Sequence, residues 1–495
     1  MRLPMKRTKW YLSGLLFISF HLFAEELKRK DANILALPAI FCDHMVVQRD
    51  QPFIIWGKAN ARHKIIVNFN HESRTAVAGD DGNWKIVFNK VKTGVSTDIS
   101  VNDETGKTIH LQDVIAGDVW VCAGQSNMNF MLAADKNGAA EMQQSNNDSL
   151  REYRCAMPEG AVNPENSDHS QWVPASGEKL SRFSAVAYYF AKSIQASQHI
   201  PVGIIVMSCG NTRAETWTDI DFLKKYPQLH PLLSYWQKER TNKEPLINFM
   251  PGKFYDDVVK PVIPFAIKGI VWYQGESNSF ADNSGRSIDE RTGIYKLLLQ
   301  ALIANWRSAW QQKGLPFYII QLPNYKDSSG NLQWAIIRQA QLDIAKETPN
   351  TGLIVTIDLG DSTNIHPNNK MPVGERAARW ALTNEYKQHY VAVSGPVIKQ
   401  MKTFGSKAVL CFTHNGNGLL SKTGSHLQGF EIADAADNNK FLPADAFIKN
   451  NTVIVTADHI TNPVSVKYAW ADNPNVSLFN KENLPASPFI ISTKK

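Results

Sequence analysis

The hydrophobic pattern divides the chain into three stretches with different periods. Between residues 35 and 115, short runs in partial alternation (FIIWG, KIIVNF, NWKIVF and DISVND) are separated by turn clusters such as GDDGN at 79–83. That spacing predicts half-buried strands of a small sandwich or barrel-like module. From 118 the rhythm changes. Wholly apolar or nearly apolar runs, DVWVCA (118–123), VGIIVMS (202–208), IKGIVWY (267–273), PFYIIQL (316–322) and GLIVTIDL (352–359), alternate with segments of helical spacing at 182–195, 293–310 and 334–347. Strands apolar on both faces and interleaved with helices predict a parallel sheet covered by helices. After about 395, short β runs return in KAVLCF, LQGFEIA, TVIVTA and VSVKYAW.

The first 24 residues follow another plan. Arg2, Lys6, Arg7 and Lys9 precede the apolar run YLSGLLFISFHLFA, which ends at Ala24. A charged segment followed by a short apolar one is the pattern of a secretory leader, and the run is shorter than the roughly 20 residues a spanning helix needs. The expectation is a signal peptide at 1–24 and a secreted or periplasmic chain without a membrane span. Subtracting the leader's four cations from the net charge of +7 leaves +3. That surplus, with no basic run interleaved with aromatics, argues against nucleic acid as a partner. Five cysteines leave at least one unpaired, and Cys122 and Cys209, in apolar strand-like runs, read as small buried hydrophobes.

The chemistry-bearing residues cluster where predicted strands end, which is where parallel sheets place their sites. In VWVCAGQSNMNF (119–130) an apolar strand runs into Gly124-Gln125-Ser126-Asn127. A serine on such a turn is a candidate nucleophile, with freed backbone N–H groups beside it for a developing negative charge. SCGNTRAETW (208–217) ends a strand in Gly210-Asn211, where a glycine allows close approach and offers its N–H. GIVWYQGESN (269–278) ends in Gln274, Glu276 and Asn278, and Gln274 or Asn278 offers a side-chain amide for an oxyanion. TIDLGDSTNIHPNNK (356–370) brings His366 onto a loop with Asp358, Asp361 and Asn364 nearby. Nucleophile, base and oxyanion donors together are what acyl transfer requires. No His, Cys and carboxylate cluster has metal spacing, so neither metal nor organic cofactor is expected.

The order serine, glycine, amide, histidine resembles the SGNH/GDSL hydrolase superfamily. GQSNM, GNTRAETW, WYQGESN and IHPNNKMPVGERAARWAL are similar more closely to the sialate O-acetylesterase family, as is the ending VKYAWADNPNVSLFNKENLPASPF. The resemblance spans nearly the whole chain after the leader. It implies an α/β, flavodoxin-like SGNH hydrolase domain flanked by β modules: 25–115 an N-terminal sandwich-like module, 116–394 the catalytic domain, and 395–495 a C-terminal β module. It further implies a serine esterase acting on O-acetylated sugar. Ser126 matches the nucleophile, His366 the general base, and the Ser126 and Gly210 N–H groups the oxyanion donors, with Gln274 preferred over Asn278 as the amide donor. Two departures stand out. The usual Gly-Gly-Thr is Gly210-Asn211-Thr212, and the acid normally three residues before the histidine is Thr363. Asp361 is therefore the first choice for third triad member and Asp358 the second, with Asn364 or a backbone carbonyl in a dyad as the alternative. Asp361 in GDST also reads as a turn former. Glu276 reads as structural, paired with Arg213, and Lys370, Glu375 and Arg376 as part of the following helix and its surface. Arg213 reads either as a partner of a substrate carboxylate or as a structural ion pair.

Two rival functions share these features. One is an acetyl esterase of plant-type polysaccharides, acetylxylan-like, using the same machinery. The other is a non-catalytic carbohydrate-binding protein, which the missing acid at 363 favours. The sequence implies no oligomeric state.

Overall fold

The computed structural model describes residues 34–493 except 95, 163–169, 243–245, 281–287 and 327–331, so the leader expected at 1–24 lies outside the described residues. In the N-terminal module, β1 (Leu35–Ala36), β3 (Pro52–Ala59) and β6 (Asn83–Lys90) form one sheet. Strands β4 (Lys64–Phe69), β5 (Glu72–Val77) and β7 (Ser96–Asp103) belong to the second. Burial alternates along β6, turning Trp84, Ile86 and Phe88 inward, and along β4 it turns in Ile65, Val67 and Phe69. Phe69 meets Phe53 and Phe88 of the facing sheet with ring centroids 4.7 and 5.4 Å apart, closing a sandwich core.

Strand β8 (Thr108–Gly124) is 17 residues long and belongs to two structures at once. Its first half pairs antiparallel with β7, from Asn102 opposite Thr108 to Ser96 opposite Ile115. Its second half is the middle of a parallel sheet, between β11 (Val202–Ser208) and β12 (Gly269–Tyr273). Strand β2 (Val46–Gln48) also runs parallel to it, at the junction. Burial follows the change of surroundings: of residues 108–113 only Leu111 is buried, and every residue from Val114 to Gly124 is buried. The boundary drawn at 115/116 thus falls inside a strand.

The parallel sheet continues outward to β9 (Asn146–Arg154) on one side and to β13 (Phe317–Ile320) and β14 (Thr351–Ile354) on the other, with β10 (Trp172–Ser176) antiparallel at the edge. The helices that carry the argument are α1 (Ser126–Asn129), α2 (Ala185–Gln198), α3 (Glu276–Ser279), α4 (Ile288–Ala309), α5 (Gln333–Glu347) and α6 (Met371–Asn384). Side chains of β8 alternate between two cores. Trp120 and Cys122 join α2 and α6, while Val119, Val121 and Ala123 join the core that holds Tyr295 and Leu299 of α4 and Trp334 of α5. The fold is therefore a helix-covered α/β sheet, as the wholly apolar strand runs required.

Beyond residue 395 the chain forms two four-stranded antiparallel sheets and a two-stranded one. The module is fastened to α5. Arg338, fully buried, donates to the carbonyls of Pro323, Ala471 and Asp472, and Asp472 Oδ1 accepts from Trp334 N at 3.0 Å. Among the described residues no cysteine is in a disulfide, and Cys122 and Cys209 are buried.

Candidate active site

Sheet register brings the first three motifs together. Gly124, the last residue of β8, stands opposite Ser208 of β11 and Tyr273 of β12. The segments that follow, 125–127, 209–212 and 274–278, therefore leave the sheet side by side at the carboxyl ends of its strands. Gly124 has φ 143°, and a Cβ there would stand 2.0 Å from Tyr273 O. Only glycine fits between two strands that close. Gln125 remains extended and Ser126 opens α1, so the Ser126 N–H has no partner within that helix. The N–H of Gly210 donates no hydrogen bond to backbone among the described residues. Asn211 holds the position where a second glycine is usual, at φ 58°, a left-handed conformation that asparagine tolerates best among residues with a side chain.

His366 arrives from the loop after β14. Its Nε2 lies 2.7 Å from Ser126 Oγ, and its backbone N–H donates to Asn364 Oδ1 at 2.9 Å. The imidazole is half-buried, and burial, then the charge of Lys370, hold its pKa below the ordinary histidine value. Nε2 is thus disposed to accept the serine proton rather than to carry one of its own.

The carboxylates expected beside His366 are used elsewhere. Asp361 is exposed, and its Oδ1 accepts from Thr363 N and Thr363 Oγ1, each at 2.8 Å, and from Asn364 N at 3.2 Å. These bonds draw its pKa down and make it the turn former of GDST. Asp358 is held by Arg376 in a two-pronged ion pair at 2.6 and 2.7 Å. Among the described residues, no carboxylate is hydrogen-bonded to the imidazole, and the Ser126–His366 pair stands as a dyad in this geometry.

Gln274 is also placed differently from its expected part. It is fully buried, and its Nε2 donates to Thr212 O at 3.1 Å and to Asn278 Oδ1 at 2.7 Å. Tyr295 OH donates to Gln274 Oε1 at 3.2 Å. With both amide hydrogens engaged, Gln274 braces the turn that presents Gly210. Asn278 does the same work from the other side, its Oδ1 accepting from Ala214 N at 3.0 Å and its Nδ2 donating to Glu215 at 2.9 Å. Arg213 donates Nε to Ser277 O at 3.1 Å and lies over the Phe249 ring at 4.4 Å.

Two charged residues, Glu276 read from sequence as structural and Lys370 read as part of the following helix and its surface, meet at Asn127, the residue after Ser126. Glu276 is buried, with Oε1 2.6 Å from Asn127 Nδ2 and Oε2 without a hydrogen-bond partner among the described residues. Lys370 is buried as well, contrary to its reading as a surface residue; its Nζ donates to Asn127 Oδ1 at 2.5 Å and lies 4.8 Å from the Phe130 ring centroid. Burial pushes Lys370 down to about 7, against the pull of Glu276 and Asp135, and pushes Glu276 up. A sequence signal for Lys370 did exist. It stands at the N-cap of α6, the positive end of a helix, where a cation is disfavoured unless anions elsewhere compensate.

A serine hydroxyl in contact with an imidazole on the rim of an α/β sheet is an arrangement that ester hydrolysis can use. Residues 116–383 match the family described as carbohydrate esterase, sialic acid-specific acetylesterase. The chain is 33% identical in sequence to a carbohydrate acetylesterase from Xanthomonas citri whose crystal structure superposes with a TM-score of 0.80, covering 93% of this chain and 100% of that one. It is 25% identical to the sialate O-acetylesterase of Homo sapiens, over 90% of each chain. With the enzyme of Rattus norvegicus it shares 24% identity, over 91% of this chain and 93% of the other. The chain belongs to the family of sialic acid-specific acetylesterases among the carbohydrate esterases, and is a carboxylic ester hydrolase.

Proposed function

We propose that the protein removes O-acetyl groups from sialic acid or a closely related acetylated sugar, with Ser126 as nucleophile and His366 as general base. The observation that carries this reading is the 2.7 Å contact between His366 Nε2 and Ser126 Oγ at the rim where three strand ends coincide. His366 takes the hydroxyl proton as Oγ bonds to the acetyl carbon. The carbonyl oxygen becomes an oxyanion beside the N–H groups of Ser126 and Gly210, whose turn Gln274 and Asn278 hold. The imidazolium then gives its proton to the sugar oxygen as the C–O bond breaks. Water, deprotonated by the same imidazole, attacks the acetyl-enzyme and releases acetate.

The Xanthomonas relative is named for carbohydrate without restriction to sialic acid, which favours a second reading, an esterase of acetylated polysaccharide. One assay separates the two: acetate release from O-acetylated sialic acid, acetylated xylan and a chromogenic acetyl ester, with Ser126→Ala as control. Turnover of the chromogenic ester and xylan but not the sialic acid would overturn the preferred substrate. A wild type inactive on all three would overturn the esterase and leave a sugar-binding protein. The leader reading carries export with it, and N-terminal sequencing of secreted protein tests cleavage after Ala24.

A further inference from the structure

Among the described residues no carboxylate is hydrogen-bonded to the His366 imidazole, yet the loop that carries it is fastened in four places. Asn127, the residue after the nucleophile, donates Nδ2 to Ile365 O at 3.0 Å. Its Oδ1 accepts from Lys370 Nζ at 2.5 Å. Asp135 Oδ2 accepts from Lys370 N at 2.8 Å, and Asn368 O accepts from Lys136 N at 2.8 Å. The segment 365–370 is therefore bound to the segment 127–136, which leaves the sheet together with Ser126. Asn127 cannot rotate its amide within this arrangement: one end must face the Lys370 ammonium, and the other must face both Glu276 and the Ile365 carbonyl.

We propose that Asn127 and Lys370 are positioning residues that together replace the missing triad acid. They fix the imidazole through its backbone, from the Ile365 side and from the Lys370 side, where a carboxylate would fix it through Nδ1. This inference rests on the esterase reading above. The pair also acts through charge. Lys370 is faced by Glu276, by Asp135 and by the ring of Tyr273, while His366 stands four residues before it in the chain. Asp135 is itself held by Tyr189 OH at 2.7 Å, and Glu276 bears on Tyr273 and Tyr295. A cation so placed disfavours a second positive charge on the imidazole and keeps it neutral at lower pH.

The test compares wild type, Asn127→Ala and Lys370→Met in ester turnover and in covalent labelling of Ser126 by a fluorophosphonate, each across pH 4.5–8. Asn127→Ala is expected to lose about 100-fold in kcat with KM little changed, because misplacing a base by an ångström costs on that order. Lys370→Met is expected to raise the acid midpoint of both turnover and labelling by on the order of one pH unit. Folded variants with wild-type kcat, or a Lys370→Met acid midpoint that does not move, would overturn the proposal. If Asn127→Ala does not fold, Lys370→Met decides it, and the wild-type labelling midpoint is read too: a midpoint at or above about 6.5 contradicts a neutralised imidazole. Labelling needs no sugar substrate. Wild type that labels but hydrolyses no acetyl ester therefore sinks the function and leaves the positioning pair standing if the Lys370→Met shift is present. Wild type that does neither overturns both.

Discussion

The rim that carries Ser126 and Gly210 is set by sheet register, whereas the loop that carries His366 is set by side chains. Gly124, Ser208 and Tyr273 lie abreast because three parallel strands share backbone hydrogen bonds, and the Ser126 turn inherits that alignment. The histidine loop leaves β14 at the far edge of the sheet path and crosses back over it. Nothing in the strand ladder determines where it stops. Its position comes from Asn127, Asp135 and Lys370 below, and from a chain of contacts on its outer side. There Gly360 N donates to Asn324 Oδ1 at 2.9 Å, and Asn324 Nδ2 donates to Asn473 Oδ1 of the C-terminal module at 2.8 Å. A site can thus be half framework and half clamp, and the two halves should break differently.

The largest effect is expected where the halves meet. Ser126→Ala and His366→Ala should each lower kcat by on the order of 10⁴-fold or more, and the double variant should be no worse than either, since the two act as a unit. Single-turnover acetate release on all three variants checks this. Next comes the framework. Gly124→Ala puts a Cβ 2.0 Å from Tyr273 O at a backbone angle only glycine favours. It should cost about 3 kcal/mol or more in stability, read as a lowered Tm, and carry activity down with it. Gln274→Ala sharpens the contrast between bracing and donating. It should lower kcat roughly 10- to 100-fold while also lowering Tm, because Thr212 O and Asn278 Oδ1 lose a buried donor. A fall in kcat with unchanged Tm would return Gln274 to the oxyanion.

The pH profile examines the clamp. His366 must be neutral to act as base, and its pKa is held below the ordinary 6.5 by burial and by Lys370. Activity should therefore persist as pH falls past 6.5 and disappear only through the lowered value. For stability the sign is the same: between the two values the unfolded chain binds the extra proton, so this group makes folding more favourable as pH rises through that window. The smallest effect is expected at the acids. Asp361→Asn keeps the Oδ1 that accepts from Thr363 and Asn364, so kcat should change less than about threefold. A hundredfold loss there would make Asp361 the third triad member after all.

The sequence revealed the framework far better than the clamp. Wholly apolar strand runs, a glycine before Ser126 and polar residues just past each strand were readable because register and burial leave a periodic trace. Asp361 is chosen by its spacing to His366 and Gln274 by resemblance, and neither says which way a side chain turns. Asp361 turned onto its own loop, the choice GDST also permitted, and Gln274 turned toward Thr212. Lys370 escapes a sequence reading because its four contacts are with Asn127, Phe130, Asp135 and Tyr273, all far away in the chain, and leave no local pattern. Its one local mark was a cation at the wrong end of a helix.

Strand β8 carries a further consequence, in time rather than in space. Its early residues find β7 within a short hairpin, so that pairing closes at little loop entropy. Its later residues must wait for partners made much later in the chain: Asp118 for Val202, Trp120 for Gly269. The N-terminal sandwich is thereby in position to form first, and to hold out the central strand of the catalytic sheet as a template before the rest of that sheet exists. On this account the sandwich is the scaffold on which the enzyme is assembled, and a chain shortened to begin at 116 would lack the part that starts the process.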